Sequence, residues 1–226
     1  GGAGVRGFCI SLGGDVIFWD EPHFSLPNWL SGRTGQWGCR CNVCKANFYD
    51  MFGKEMPLEK TEEVQKYLEW GIRDFLKFCF DETAKRGGKN ALCLLPHDPG
   101  EDGDVGDWED FAKMENLSVF GTDPYFEFAK KGMEHVEEYV GKTVELCEKY
   151  NLESQIWFQG FKIAEGREHL QADAIDVTAK LGVKNLAVWG LDACEHISWI
   201  RPDRPEVVWN TFTDKFQELR RADQSS

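Results

Sequence analysis

Ionisable side chains follow a short apolar run near the start of the chain. The run VIFW at Val16–Trp19 leads directly into Asp20 and Glu21, with His23 two positions later. A carboxyl group at the exit of a buried strand, beside aromatic residues, is partly desolvated, and desolvation raises its pKa. A raised pKa lets a carboxyl group keep its proton near neutral pH, as a general acid must. The pattern therefore predicts acid–base chemistry by Asp20 and Glu21, with His23 orienting the carboxylates or lining a subsite.

Three closely spaced cysteines follow in a predicted loop, at Cys39, Cys41 and Cys44. Thiolates in a C-x-C-x-x-C pattern can occupy three positions of a tetrahedral zinc ion. Clustered exposed thiols without a metal would be reactive. The pattern predicts a structural zinc with a fourth ligand from elsewhere in the chain, for which Cys9 is the first candidate and His23 the second.

Polar side chains also follow four later apolar runs. They are His97 after Asn90–Leu95, Asp123 after Leu117–Phe120, Gln159 after Gln155–Phe158, and Asp192 after Leu186–Trp189. We interpret Asp123 and Asp192 as further candidate catalytic carboxylates. His97 and Gln159 are candidate substrate-binding groups.

The chain contains nine tryptophans, a high count. Indole faces pack in protein cores, but they also stack on sugar rings. Trp19, Trp157 and Trp189 lie near predicted strand ends and are candidate substrate-binding side chains, with core packing as the alternative. Tyr125 is a candidate hydroxyl-binding group.

Longer segments with helical spacing of apolar residues alternate with the short apolar runs. They cover Thr61–Arg86, a stripe from Met133 to Cys147, Arg167–Leu181, and a last helix that opens at Pro205. Fully apolar strands that alternate with helices indicate a parallel sheet covered by helices. In a (β/α)8 barrel the active site forms at the C-terminal ends of the strands, where the acids of this chain fall.

The predicted fold is therefore α/β, a (β/α)8 TIM barrel in a single domain over residues 1–226. Five or six βα units are visible, including a strand within Val5–Leu12, whereas a whole barrel typically has about 250 residues. The prediction is thus a partial or N-terminally truncated barrel, in which the first two or three βα units are absent, rudimentary or supplied elsewhere. A doubly wound sheet is the alternative, but no G-x-G-x-x-G opens a helix after a strand.

Composition excludes several classes of protein. The formal net charge of −13 argues against nucleic acid or a membrane surface as a partner. No apolar run approaches the roughly 20 residues of a membrane span, and no signal peptide is visible. Cys79, Cys93 and Cys147 lie among apolar residues and are predicted to be small buried hydrophobes in a reducing, cytoplasmic compartment. Motifs of serine hydrolases, P-loop proteins and zincins are missing from the sequence.

The segment Val16–Phe52 resembles TIM-barrel glycoside hydrolases, most closely the family-42 β-galactosidases and related glycosyl hydrolases. It combines an acid-tipped strand with the sequence CRCNVCKANFYDMFG. In that family a strand-end Asn-Glu, whose Glu is the acid/base, precedes a C-x-C-x-x-C zinc loop. The resemblance implies a carbohydrate substrate, Glu21 as acid/base, and Cys39, Cys41 and Cys44 as zinc ligands. The later segments GTDPYF, WFQGF and VWG are similar in style to strands six, seven and eight of such barrels.

Two positions depart from the family pattern. Asp20 stands where the family has Asn, and the seventh-strand segment WFQG carries Gln159 and no carboxylate. The nearest acid is Glu165, six residues on. Asp20 and Asp123 could instead act as nucleophile and acid/base, as in clan-D glycosidases, which include the α-galactosidases.

Alternatively, Glu21 is the acid while Asp123 or Asp192 activates water, which inverts the anomeric centre. Carboxyl separations of about 5–5.5 Å would indicate retention, and about 6.5–9.5 Å inversion. Two further alternatives remain: a non-catalytic carbohydrate-binding barrel, which Gln159 favours, and a metal-dependent lyase or isomerase using Asp20, Glu21 and His23.

Overall fold

The computed structural model describes residues 14–24, 37–97 and 105–224, in which strands and helices alternate as predicted. The strands are β1 (Val16–Asp20), β2 (Lys89–Leu94), β3 (Leu117–Thr122), β4 (Glu153–Gln159) and β5 (Asn185–Trp189). The helices are α1 (Asn42–Phe52), α2 (Glu62–Ala84), α3 (Glu109–Ala112), α4 (Phe126–Ala129), α5 (Met133–Tyr150), α6 (His169–Lys180) and α7 (Pro205–Gln224). The strand predicted within Val5–Leu12 lies outside the described residues.

The five described strands form one sheet in the order β1-β2-β3-β4-β5, which is also their order in the chain. β4 pairs in parallel with β3 on one side and with β5 on the other, where Gln159 lies opposite Trp189. A doubly wound sheet reverses its strand order at a switch point, so the sequential order of these strands excludes that alternative. The fold is α/β and of the partial (β/α)-barrel type, as the sequence predicts.

The chain divides into two units. The first comprises Gly1–Leu92 and His97–Ser118, and the second comprises Cys93–Pro96 and Val119–Ser226. Each has its own core among the described residues.

In the first unit, α1 packs on α2 through a cluster of buried side chains. These are Phe48, Met56, Val64, Tyr67 and Leu68. The Thr61 hydroxyl accepts a hydrogen bond from the backbone N–H of Val64 (3.3 Å) and caps the start of α2. The sequence predicts α2 within two residues at each end, but it predicts a loop where α1 begins.

A buried asparagine ties β1 to the rest of the first unit. The Asn90 side-chain amide donates to the carbonyl oxygens of Phe80 (3.2 Å) and Asn116 (2.8 Å). Its oxygen accepts from the indole N–H of Trp19 at 2.9 Å. Because a buried amide costs free energy unless its groups are paired, these bonds fix β1, which carries Asp20, against β2 and α2.

The core of the second unit lies between β3–β5 and the helices that follow them. Its buried members include Val140, Ile156, Phe158, Ile175 and Phe212. Helix α5 ends at Asn151 in the left-handed conformation (φ 54°), as the sequence predicts. The predicted buried thiols Cys79, Cys93 and Cys147 are all buried.

Close contact between β3 and β4 requires a glycine at position 121. A Cβ atom there would overlap the backbone carbonyl oxygen of Gln155 on β4. We expect Gly121→Ala to lower the free energy of unfolding by about 1–3 kcal/mol, because the neighbouring atom belongs to the backbone and cannot rotate away. Urea denaturation will measure the change.

Gly141 on α5 provides the matched control, because a Cβ there meets no atom within 4 Å. Gly141→Ala should stabilise the protein by about 0.5–1 kcal/mol through helix propensity. Equal effects of the two alanines would contradict the steric account of Gly121.

Within the described ranges, no helix is both long enough and apolar enough to cross a membrane.

Candidate functional site

The acids at the end of β1 lie at an edge of the described sheet. Exposure alternates along the strand, so that Val16, Phe18 and Asp20 are exposed while Ile17 and Trp19 are partly buried. The sequence predicts a buried strand, which is wrong for one face of β1. That face leaves Asp20 accessible to solvent.

Asp20 and Glu21 form an electrostatically strained pair. Desolvation by the surrounding protein raises the pKa of Asp20. The neighbouring Glu21 carboxylate raises this pKa further, and His23 lowers it. Glu21 adopts left-handed backbone (φ 38°), a conformation that is unfavourable for a residue with a side chain. The predicted rise in carboxyl pKa at this strand end therefore falls on Asp20.

The raised pKa of Asp20 predicts a pH-dependent effect of Asp20→Asn. A carboxyl group whose pKa is raised by folding favours the folded state at low pH and loses that contribution as the pH rises through the folded pKa. The variant should therefore be more stable than the wild type at neutral pH, by less than about 1 kcal/mol because Asp20 is exposed. The gain should vanish below the pKa of an ordinary aspartate.

Thermal unfolding across this pH range checks the prediction, with Asp50→Asn on the exposed surface of α1 as the control. A stabilisation of the Asp20 variant that is the same at every pH would show that the carboxyl charge is not its cause.

His23 is exposed beside the acids. Among the described residues, the only group of three or more His, Cys, Asp or Glu ligand atoms close enough to share a metal is the cysteine cluster. Asp20, Glu21 and His23 do not form such a group. A metal-dependent lyase or isomerase that uses these three residues thus lacks geometric support.

Asp123 follows β3 in the second unit and is 2% exposed. Its carbonyl oxygen accepts from the N–H of Tyr125 (2.7 Å), which turns the chain sharply after the strand. The preceding Thr122 hydroxyl donates to the carbonyl oxygen of Leu94 at 2.7 Å. These bonds hold the backbone of Asp123 at a buried strand end, which is the position that the sequence predicts.

Gln159 ends β4 and is 1% exposed. Its amide nitrogen donates to the carbonyl oxygen of Phe161 (2.7 Å), and its oxygen accepts from the N–H of Phe128 (2.9 Å). The amide thus joins the loop after β4 to helix α4. A carboxylate here would place negative charge against the Phe161 carbonyl, so the local structure suits an amide better than an acid.

Three predicted aromatic residues lie near the strand ends of the second unit. Trp157 is partly buried and donates to the side-chain oxygen of Gln155 (2.8 Å). Tyr125 and Trp189 each make an edge-to-face contact with Phe161, at ring-centroid distances of 5.1 and 5.3 Å. Trp189 remains 41% exposed and is available to stack on a ligand.

Asp192 lies on the exposed 3-10 turn Leu191–Cys194 after β5. Three successive residues of this segment, Asp192, Ala193 and Cys194, have positive φ (50°, 47° and 54°). Because residues other than glycine rarely adopt this conformation, the turn is strained.

His97 has a structural environment. Its Nδ1 accepts from the indole N–H of Trp108 (3.3 Å), since that group can only donate. Its Nε2 therefore carries the proton and donates to the carbonyl oxygen of Gly106 (2.9 Å). These bonds hold the segment that leads into α3, and they occupy both ring nitrogens.

The three cysteines form a compact cluster at the start of α1. The Sγ atoms of Cys39, Cys41 and Cys44 all lie within 4.8 Å of one another, and those of Cys41 and Cys44 are 3.6 Å apart. With Zn–S bonds of about 2.3 Å, tetrahedral geometry places sulfur atoms about 3.8 Å apart. The three thiols therefore fit a zinc ion, although Cys44 belongs to a helix and not to the predicted loop.

Among residues 14–24, 37–97 and 105–224, no fourth ligand lies with the three cysteines. Neither His23 nor a carboxylate belongs to the group. Cys9, the first candidate, lies outside the described residues.

The surroundings of the cluster favour the thiolate of Cys41 and disfavour that of Cys44. Hydrogen bonds, first from the backbone of Cys44 and then from Cys39 and Cys44 side chains, lower the pKa of Cys41 to about 7. Desolvation raises the pKa of Cys44, and a hydrogen bond with Tyr67 opposes it. Tyr67 thus belongs to the outer shell of the cluster. The sequence does not predict this role of Tyr67, because its position in a helix does not show that it lies beside a cysteine.

Comparison with known proteins leaves the family open. No family profile and no curated protein matches the chain. Similar solved backbones include the endo-β-1,4-mannanase from Thermotoga petrophila (10% identity, TM-score 0.45, covering 94% of this chain and 67% of that one). The IolI protein with a bound zinc atom has 13% identity and a TM-score of 0.45, covering 96% of this chain and 68% of its own.

A second structure of a Thermotoga petrophila mannanase, with maltose and glycerol, has 12% identity and a TM-score of 0.40 and covers 68% of this chain. This chain spans only 51% of that protein. At such low similarity these structures carry no argument about the function of this chain.

Proposed function

We propose that this chain binds carbohydrate and cleaves glycosidic bonds, with the Asp20–Glu21 pair supplying the proton transfer. The observation that carries the proposal is the pair itself. It is accessible at the C-terminal end of a strand, and crowding together with the Glu21 charge raises the pKa of Asp20. Adjacent carboxyl groups at an accessible strand end can supply a proton donor and a base.

Glu21 is the proposed acid/base, as the family resemblance implies. In cleavage it would protonate the leaving-group oxygen, while a second carboxylate attacks the sugar or activates water. Asp20 lies beside Glu21 in the chain but is the weaker candidate for that partner, because its raised pKa favours the protonated form, which cannot attack the sugar or activate water. Asp123 and Asp192 remain the sequence-predicted alternatives.

The cysteine cluster is proposed as a structural zinc centre. Cys39, Cys41 and Cys44 would supply three ligands, and a fourth protein ligand would leave no open position for substrate. The metal would fix the start of α1, and the proton transfer would remain with the carboxylates.

Non-catalytic carbohydrate binding is the second candidate function. It is favoured by Gln159, which stands at the seventh-strand position of the related nucleophile and whose amide is fully engaged by backbone groups. A chain that lacked a nucleophile could keep its sugar-binding surface.

A panel of aryl and natural glycosides tests both functions. Wild-type protein should release sugar from at least one substrate, and NMR of the first product anomer distinguishes retention from inversion. Binding without turnover across the whole panel would favour the non-catalytic function. Asp20→Asn, Asp123→Asn and Asp192→Asn then identify the second carboxylate by the largest loss of kcat.

A further inference from the structure

An exposed apolar surface follows β5 in the second unit. We call it the aromatic platform and define it by Trp189, Leu191, Ile197 and Trp199, which are 41%, 78%, 41% and 74% exposed. Four large exposed apolar side chains thus fall within eleven residues of the chain, and exposed apolar patches commonly bind ligands or partners. Of these four residues, the sequence predicts a binding role only for Trp189.

The backbone beneath the platform is held in place. Cys194 and Ile200 are buried in a small cluster with Phe161. The Ile200 carbonyl oxygen accepts from the N–H of Lys162 at 2.7 Å. Trp199 is therefore exposed on an anchored segment, which reduces the entropy lost when a ligand binds it.

Lys162 lies beside Trp199. Its ammonium nitrogen is 5.4 Å from the Trp199 ring centroid and 5.1 Å from that of Phe128. Lys162 has positive φ (47°), so its backbone conformation is also tightly constrained. Among the ion pairs of the described residues, none includes Lys162, whereas Lys66, Lys77 and many other cations pair with carboxylates.

We infer that the platform binds a sugar that carries an anionic group, with the sugar ring on Trp199 and the anion on the Lys162 ammonium. The inference deepens the proposed function and rests on its carbohydrate ligand. The net charge of −13 repels anions at long range, but at contact distance an ammonium without a carboxylate partner attracts an anionic group and favours a negatively charged ligand over a neutral one.

The composition of the patch favours a sugar over a protein partner. Polar exposed residues, among them Asp192, Glu195 and Ser198, separate the apolar side chains. A protein interface has an apolar core from which charged residues are depleted. A sugar instead presents apolar C–H faces together with hydroxyl groups, which suits alternating apolar and hydrogen-bonding side chains.

Isothermal titration calorimetry on the full chain tests the inference. The ligands are hexuronate oligosaccharides, the same oligosaccharides with carboxylates reduced to alcohols, and sulfated oligosaccharides of equal length. Binding of the reduced oligosaccharides as tight as that of the hexuronates would indicate a general sugar site. Binding of the hexuronates alone would indicate a carboxylate site, and binding of the sulfated ligands as well would indicate a site for any anionic sugar. All titrations use a Glu21→Gln background, so that turnover does not consume the ligand.

The wild-type platform should bind at least one anionic ligand more tightly than its neutral counterpart. Lys162→Met should weaken anionic binding about tenfold and leave neutral binding unchanged. Trp199→Ala should weaken both by about tenfold, because the ring contact is lost. The exposed controls Lys180→Met and Tyr49→Ala should change neither.

Equal binding of anionic and neutral ligands, unchanged binding in the Lys162 or Trp199 variants, or no binding of any ligand would overturn the inference. Its failure is distinguishable from failure of the proposed function. If the chain binds anionic sugars through Lys162 but cleaves no glycoside, the inference about the platform stands and the proposed hydrolase function fails. If the chain cleaves glycosides but neither Lys162→Met nor Trp199→Ala changes ligand binding or cleavage, the proposed hydrolase function stands and the inference about the platform fails.

Discussion

Replacing Glu21 by Gln is expected to lower kcat on glycosides with poor leaving groups by about 10²–10⁴-fold, the usual contribution of a positioned acid or base. Glutamine keeps the size of the side chain but cannot donate a proton to the leaving oxygen. The loss should fall on kcat and kcat/KM together, because proton donation stabilises only the transition state.

The leaving group makes the prediction specific. A substrate with a strongly acidic phenol as leaving group needs little protonation, so Glu21→Gln should slow its cleavage far less than that of an alkyl glycoside. The pH–rate profile should also lose the limb that reports the acid. The control is Glu55→Gln at an exposed position, which should retain wild-type rates. A uniform loss across leaving groups would instead indicate a misfolded or misplaced strand end.

The parallel sheet could be predicted because its strands carry an unambiguous signal. The run NALCLL predicts β2, whose residues Asn90–Leu94 are buried without a break, and such runs belong to strands covered on both faces. The stripe that includes Leu68 and Ile72 likewise predicts α2. The hydrophobic pattern therefore predicts the burial of β2 and of one face of α2, but it predicts too much burial for β1.

Helix α1 could not be predicted in the same way. Its first turn contains Cys44, which we interpreted as part of a loop, and Val43, Tyr49 and Met51 are exposed apolar residues that obscure an amphipathic stripe. Only contact with α2 identifies the buried face, through Phe48. A short helix with a weak pattern depends on tertiary packing, which the sequence does not display.

The candidate site was predictable by position more than by environment. The sequence places Asp20, Asp123 and Gln159 at strand ends, and each lies there. It does not reveal that the Gln159 amide is bonded to backbone at both ends. Nor does it reveal that the Trp19 indole donates to Asn90, because a polar residue within an apolar run gives no indication of its partners.

Loss of the metal should have the second large effect. Purified wild-type protein should contain about one zinc ion per chain, and Cys41→Ser or Cys44→Ser should lose it. A site filled at a hundred times its dissociation constant stabilises the folded state by about 2.7 kcal/mol. For a chain of this size that corresponds to a fall in Tm of about 5–11 °C.

The reason for the expected loss lies in how α1 is attached. Cys41 is the N-cap of α1 but makes no side-chain capping bond, and Cys44 packs against the cluster that holds Phe48 and Tyr67. A metal bound to both cysteines would close the helix start onto the loop before it. Without the metal, α1 would depend on its contacts with α2, which are the apolar packing of Phe48 and the hydrogen bond between Cys44 and Tyr67.

Chelation of the metal and substitution of a cysteine should therefore destabilise the protein by removing the same metal–thiolate bonds. A strong chelator should lower the wild-type Tm as far as Cys44→Ser does, and it should have no further effect on the variant, because effects on one shared interaction are not additive. Cys79→Ala is the control. That thiol is buried away from the cluster, so the variant should lose some packing energy and retain its zinc. Full metal content in the Cys41 and Cys44 variants, or a chelator effect that adds to theirs, would place the metal on other ligands.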